Sequence, residues 1–133
     1  MLAKKIDHVA IAVKDLDAAL TTFVANFGFP IERKGAVPQL AVERAFLTIG
    51  DSALELFKPT DTSNPAEKFL AERGEGMYLL SLEVDDLESA AAKLIDAGAK
   101  VRVQVLQDGL KLAFVSPRNT HGVLLELIEH PKR

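Results

Sequence analysis

The chain has no cysteine among its 133 residues. This absence excludes disulfide bridges, thiolate metal sites and cysteine nucleophiles. An excess of basic residues is also missing, because 16 Lys and Arg are outnumbered by 19 Asp and Glu and the net charge is −3. Binding of nucleic acid through a basic patch, which needs clustered Lys and Arg, is therefore not expected.

Long hydrophobic runs are absent as well. No apolar run approaches the ~20 residues that a membrane-spanning helix needs, and Lys4 and Lys5 are not followed by the apolar segment of an export signal. From these two absences we expect a cytoplasmic protein without a membrane partner. The remaining composition, 48% hydrophobic and 26% charged, is typical of one globular domain spanning residues 1–133.

What the sequence does contain is an internal repeat. A shift of 71 residues places segment 8–19 on segment 79–90. The same shift places the Leu-Glu-Leu of 54–56 on the Leu-Glu-Leu of 125–127. Two matches at one offset predict that the chain holds two copies of one unit. We therefore predict a first module over 1–60, a linker with a short helix over 61–76, and a second module over 77–133.

Local patterns predict the order β-α-β-β-β in each copy. Asp15 is a typical cap for a helix that Gly28 stops, and Asp85-Asp86 plays the same part in the second copy. Gly50-Asp51 between two short apolar runs predicts a β-hairpin. The predicted strands are 6–13, 31–34, 44–49, 53–57, 78–84, 100–105, 110–115 and 122–129.

One copy cannot close a core alone, because its helix covers only one face of its sheet. Pairing the copies predicts an α+β fold, in which two βαβββ modules form one curved, half-open eight-stranded sheet with a cleft in its concavity. The exposed sheet edges of such modules are compatible with a homodimer and with a monomer.

Strand alternation places three polar side chains on the cleft face. Val9 and Ile11 are expected to face the helix, which leaves His8 on the opposite face, and the same alternation assigns Glu55 and Glu126 to the cleft. A lone buried carboxylate is costly unless it is paired or binds a metal. We therefore expect these three residues to meet as an oxygen-rich site for a divalent ion such as Mn, Co, Fe or Mg.

Each of these residues also has a structural interpretation. His8 could instead be a surface or core-edge histidine whose ring is satisfied by a neighbour, and Glu55 a solvated residue of an edge strand. Glu126 could be a buried structural carboxylate paired with Arg or Lys. The sequence alone leaves these alternatives open.

The chain resembles the vicinal oxygen chelate superfamily, and within it the methylmalonyl-CoA epimerases. The resemblance covers nearly the full length, and its most specific stretches are 7–13, 50–51 with 54–59, 69–70 with 74–76, 83–87 and 122–127. It implies paired βαβββ modules and one divalent metal (Co, Mn, Ni, Zn, Fe or Mg). The metal-ligand positions of the family fall on His8, Glu55, Leu79 and Glu126.

This chain departs from the family pattern at two places. Tyr78-Leu79 stands where the epimerases have His-His, and the leucine side chain cannot coordinate a metal. Gln39 falls where those chains carry a glutamate taken to be one of two acid/base groups, and an amide cannot accept a proton at neutral pH. We expect Gln39, Leu79 and Tyr78 to line the substrate site.

Three functions remain as hypotheses. The first is an enzyme in which a metal binds the oxygens of a small acyl or carbonyl substrate, with a CoA thioester implied by the resemblance, and Glu126 or Glu55 moves a proton. The second is a metal-free, non-catalytic binding protein of the bleomycin-resistance type, which Leu79 and Gln39 favour. The third is a silent partner of an active homologue.

Overall fold

The computed structural model of the chain describes residues 2–132, so the predicted module ends Met1 and Arg133 lie outside the described residues. The helices are α1 (Leu16–Leu20), α2 (Ala66–Arg73) and α3 (Leu87–Asp96). The strands are β1 (Ala3–Ala12), β2 (Ile31–Val37), β3 (Val42–Ile49), β4 (Ser52–Pro59), β5 (Gly76–Val84), β6 (Val101–Val105), β7 (Lys111–Val115) and β8 (Leu125–Glu129). Within residues 2–132, each helix is too short or too polar to cross a membrane.

The observed elements confirm the predicted fold class. All eight strands belong to one mixed sheet, and each half of the chain has the order β-α-β-β-β, with α2 in the connection. The chain also divides into two compact units. We call His8–Tyr78 the N-terminal unit, and the residues up to Asp7 together with those from Leu79 onwards the C-terminal unit.

The N-terminal unit has the strand order β2-β3-β4-β1. Asp15 caps α1 by accepting a hydrogen bond from the Ala18 N–H at 3.1 Å, as predicted. The helix widens into a π-helical segment, Thr21–Asn26, before Gly28 ends it. The core lies between this helix and the sheet, and its buried members are Val13, Leu16, Ala45, Leu47 and Leu56.

A two-residue turn joins β3 to β4. Ile49 pairs with Ser52, so Gly50-Asp51 forms the predicted hairpin loop. Gly50 has a φ of 56°, in the left-handed region that costs glycine little. This hairpin fixes the register of β4 and so determines which of its side chains point away from α1.

The C-terminal unit has the strand order β5-β8-β7-β6. Asp86 caps α3 by accepting from the Ser89 N–H at 3.0 Å, and Leu87 and Ala90 of the helix pack on Val84 of β5. Ala3 of β1 packs on the same cluster. The start of the chain is therefore part of this core.

Several predicted strand boundaries are wrong, by up to three residues, and β2 for example extends to Val37 rather than to residue 34. β1 begins at Ala3 rather than at residue 6, because pairing in the sheet overrides the polar Lys4-Lys5 sequence. β8 begins at Leu125 rather than at residue 122, because His121 and Gly122 have positive φ values of 58° and 91°. Successive left-handed residues cannot continue a strand.

Candidate functional site

His8 and Glu55 lie side by side on β1 and β4. The two strands are parallel neighbours, with Ala10 beside Glu55, and Ile11 packs on the core below α1. Alternation along β1 therefore turns His8 to the other face, as predicted. Its Nε2 lies 3.3 Å from Oε1 of Glu55, and the two residues are only 3% and 8% exposed. This burial excludes the alternative interpretation of Glu55 as a solvated residue of an edge strand.

An arginine and an aromatic ring complete the surroundings of this pair. Nη1 of Arg44 lies 3.5 Å from Oε2 of Glu55, so each carboxylate oxygen has a nitrogen partner. The Phe46 ring meets the His8 ring edge to face, with centroids 5.2 Å apart. The imidazole and the carboxylate are thus held between an apolar wall and a cation.

Phe46 also belongs to a row of residues across three strands. Strand pairing sets Arg33 of β2 opposite Phe46 of β3, and Phe46 opposite Glu55 of β4. The guanidinium carbons of Arg33 and Arg44 lie 4.3 Å and 5.0 Å from the centre of the Phe46 ring, which is the geometry of a cation–π contact.

The C-terminal unit repeats this row with different residues. Arg102 of β6 pairs with Phe114 of β7, and Phe114 pairs with Glu126 of β8. Arg102 lies 5.0 Å from the centre of the Phe114 ring. The two halves therefore share the order Arg, Phe, Glu across their strands.

Glu126 is a buried carboxylate. It is 6% exposed, and Oγ of Ser81, which has no exposed surface, donates a hydrogen bond to its Oε1 at 2.7 Å. Ser81 lies directly beside it in the pairing of β5 with β8. The Ser81 hydroxyl thus compensates part of the cost of burying this carboxylate.

The other predicted site residues differ in exposure. Leu79 is buried at 9% exposure, whereas Gln39 lies exposed in the short 3₁₀ turn before β3. The Tyr78 ring contacts Phe57 and Phe69 edge to face, at 5.4 Å and 5.2 Å between centroids. Tyr78 thereby joins α2 to β4. The participation of these three residues in a substrate site stays a prediction.

Two other groups of acidic and histidine side chains lie close enough together to hold a metal ion, but ion pairs and a helix cap explain their positions. In the first, Asp7 bonds to His130 at 2.7 Å and Glu83 lies 3.5 Å from Lys4. In the second, Asp86 caps α3, while Glu88 and Glu129 both contact Nζ of Lys111.

Two surface ion pairs shift the pKa values of their members. A hydrogen bond from Lys4 lowers the pKa of Asp85, and the same bond raises the pKa of Lys4. A hydrogen bond from Lys111 likewise lowers the pKa of Glu88, and the pKa of Lys111 is raised. Three of these groups are exposed and Lys111 is partly exposed, so these shifts report local contacts and not a reactive centre.

Sequence reasoning missed Arg33, Arg44, Phe46 and Ser81. The spacing Arg44-x-Phe46 on a strand does place both on one face, and it could have indicated a cation beside an aromatic ring. Their meeting with Glu55, however, depends on the register between β3 and β4. That register is a long-range property.

Comparison with known proteins places the chain in a family. The model of the Glyoxalase/Bleomycin resistance protein/Dioxygenase superfamily matches residues 7–129. The chain belongs to this superfamily. This confirms the resemblance inferred from the sequence.

The similar proteins within the superfamily include methylmalonyl-CoA epimerases. The ethylmalonyl-CoA/methylmalonyl-CoA epimerase of Cereibacter sphaeroides is 30% identical over 92% of this chain and 96% of its own length. The crystal structure of methylmalonyl-CoA epimerase from Mycobacterium tuberculosis has a TM-score of 0.90 at 28% identity, covering 98% of this chain and 91% of that one. A variant of the Streptomyces coelicolor enzyme in complex with 2-nitronate-propionyl-CoA has a TM-score of 0.89 at 31% identity, covering 98% and 99%.

These likenesses confirm the glyoxalase-like fold and an epimerase-like chain. They extend over nearly the full length of this chain. That Leu79 and Gln39 depart from the epimerase pattern stays a prediction.

Proposed function

We propose that the chain is an enzyme that exchanges the α-proton of a small acyl thioester, with CoA as the thiol part. The observation that carries this proposal is the buried pair of His8 and Glu55, with Nε2 and Oε1 3.3 Å apart. The likeness to epimerases of CoA thioesters, and the complex of one of them with 2-nitronate-propionyl-CoA, support the substrate class.

The donor atoms suit a divalent cation. An imidazole nitrogen and carboxylate oxygens are ligands that Co, Mn, Ni, Zn and Fe(II) share. We propose that His8, Glu55 and Glu126 hold the ion, with Leu79 leaving one position open to water or substrate. When bound, such an ion would stabilise the negative charge that develops on the thioester oxygen.

The proton is moved by a carboxylate. We assign Glu126 as the group that takes the α-proton, which leaves an enolate and a carboxylic acid. The acid proton exchanges with water, and Glu126 then delivers a solvent-derived proton to the same carbon; Glu55 is the second candidate. Hydrogen bonding from Ser81 holds Glu126 in place. Because the Gln39 amide cannot accept a proton, exchange is expected to exceed inversion at this carbon.

Proton exchange tests the proposal directly. Methylmalonyl-CoA is incubated with the protein in D₂O, with added Co²⁺ or after chelation, and deuterium at the α-carbon is followed by mass spectrometry. We expect exchange above the protein-free rate, and a loss of about a hundredfold or more in Glu126→Gln. Glu67→Gln, which changes an exposed carboxylate of α2, serves as the control. Exchange at the protein-free rate both with added Co²⁺ and after chelation contradicts the proposal.

A second function, that of a metal-free binding protein of the bleomycin-resistance type, is favoured by the leucine at position 79 and the amide at position 39. It predicts that the purified protein contains no metal and that Co²⁺, Mn²⁺ and Ni²⁺ leave its melting temperature unchanged. A bound ion would raise that temperature by mass action.

We also propose that the protein forms a homodimer and that it is located in the cytoplasm.

A further inference from the structure

A cationic cavity opens on the β2–β3 edge of the N-terminal unit. Its volume is about 180 Å³, and Arg33, Lys34, Arg44 and Phe46 are among its lining residues. Pockets that hold a whole small ligand measure roughly 300–1,000 Å³. The cavity is therefore of a size to hold one functional group of a larger ligand.

Gly35, in the lining of the cavity, has no side chain to occupy this space. Gly35 pairs with Arg44, and a Cβ placed on it would meet no atom within 4 Å. Its φ lies outside the left-handed region, so the backbone does not require glycine here. A larger side chain at this position would fill the cavity and leave every charge in place.

The charges around the cavity are only partly compensated. Lys34 lies 3.7 Å from the exposed Asp17, and Arg44 lies 3.5 Å from Glu55, but neither acid lines the cavity. Within residues 2–132, no carboxylate lies within 4 Å of Arg33, whose guanidinium stacks on Phe46 instead. The planar guanidinium group of an arginine can donate two parallel hydrogen bonds to the oxygens of a carboxylate or phosphate.

The cavity adjoins the candidate site. Phe46, in its wall, contacts the His8 ring, and Arg44, also in its wall, contacts Glu55. A ligand with its reacting carbon near His8 and Glu55 can thus extend a second group toward Arg33.

We propose that this cavity binds an anionic oxygen group of the ligand. The group is either a carboxylate on the acyl part or a phosphate on the nucleotide part of the thioester; the identity of the ligand rests on the proposed function. Arg33 supplies the uncompensated charge, and the missing side chain of Gly35 supplies the room.

Two ligands separate the sources of the anion. Isothermal titration compares propionyl-CoA, which has phosphates but no acyl carboxylate, with methylmalonyl-pantetheine, which has the carboxylate but no phosphates. Arg33→Gln and Gly35→Val are both expected to weaken the binding of the same ligand by roughly tenfold or more. That ligand is propionyl-CoA if the cavity binds a phosphate, and methylmalonyl-pantetheine if it binds the carboxylate. Arg102→Gln removes the equivalent Arg–Phe contact of the other unit and is expected to bind both ligands as the parent protein does. Thermal unfolding checks that each variant is folded.

The proposal is overturned if Arg33→Gln and Gly35→Val bind both ligands as tightly as the parent protein, if Arg102→Gln weakens binding to the same extent, or if the parent protein binds neither ligand. Proton exchange measured on the same samples keeps the two proposals apart. Cavity-dependent binding without exchange contradicts the proposed function alone. Exchange with unaltered affinity in both cavity variants contradicts the cavity alone.

Discussion

At the scale of single residues, the buried carboxylates are the costly groups of this chain. Glu55 has nitrogen partners on both oxygens, whereas a hydroxyl donates to Glu126. An isolated buried carboxylate is destabilising, so each partner contributes to folding as well as to the site.

Removal of the Ser81 hydroxyl is the first prediction. Ser81→Ala deletes the 2.7 Å hydrogen bond to Glu126 in a fully buried position. We expect the free energy of unfolding to fall by about 1–3 kcal/mol, measured by urea denaturation. Ser89→Ala, on the exposed face of α3, should leave stability unchanged or slightly raise it. Equal effects of the two changes would contradict a special contribution of Ser81.

The second prediction concerns the introduction of a fourth metal ligand at position 79. Leu79→His places an imidazole at the position where the epimerase-like pattern has histidine, and we expect a larger Co²⁺-induced rise in melting temperature than in the parent protein. Leu80→His adds the same ring on the opposite face of β5 and should not enhance the response to the ion. Indistinguishable responses of the two variants would remove Leu79 from the metal site.

At the scale of elements, the sequence predicted what local chemistry determines. Asp15, Asp86 and the Gly50-Asp51 turn act within a few residues of themselves, and all three are observed as predicted. The start of β1 was not predictable in this way, since Lys4 and Lys5 are polar and only their pairing in the sheet makes them part of a strand.

The cap of α3 carries the third prediction. Asp86→Ala removes the side-chain acceptor of the Ser89 N–H, and we expect a loss of about 1 kcal/mol in thermal or urea unfolding. Asp96→Ala changes the same residue type in the last turn, where a negative charge opposes the helix dipole. That control should keep or slightly raise stability, and a similar loss in both would show that the cap is not the cause.

The ion pair between α3 and β7 gives a pH dependence. Lys111 lowers the pKa of Glu88 in the folded protein. The stabilisation from this ion pair is therefore present above the pKa of an unfolded glutamate, and it is lost as the pH falls through the lowered pKa of folded Glu88. Lys111→Met should therefore unfold more readily than the parent at neutral pH, and the difference should shrink in acid. Urea titrations across this pH range test it; a difference that is constant with pH would exclude this pair as its source.

At the scale of the whole molecule, the two compact units do not coincide with the two sequence repeats. The repeat predicted modules over 1–60 and 77–133, but residues up to Asp7 group with those from Leu79 onwards. The contacts are specific, since Ala3 packs on the cluster around Leu87, Lys4 bonds to Asp85 and Asp7 bonds to His130. A repeat identifies related segments and leaves open which segments pack together.

Deletion of residues 2–7 tests this division. We expect hydrogen-exchange protection to fall most in α3, β7 and β8, which share the C-terminal unit with those residues. Protection of β2 and β3, in the N-terminal unit, provides the internal comparison. A loss spread evenly over all of these elements would contradict the grouping.

The sequence predicted the central side chains of the candidate site, His8 and Glu55, but not the residues that surround them. Strand alternation placed His8 and Glu55 on one face because period-2 patterns are readable from sequence. Arg33 and Phe46 join them only through two inter-strand registers, each of which depends on the packing of the whole sheet.

The parallel strand pairs also have a consequence for how fast the protein folds. β1 meets β4, and β5 meets β8, through residues 45 positions apart in the chain, such as His8 with Ala53 and Leu80 with Leu125. Each pairing must close a long loop before it gains any contact, whereas the β3–β4 hairpin closes at once around two residues. We therefore expect the hairpins to form early during refolding, and His8 to reach Glu55 only in the slow, final phase.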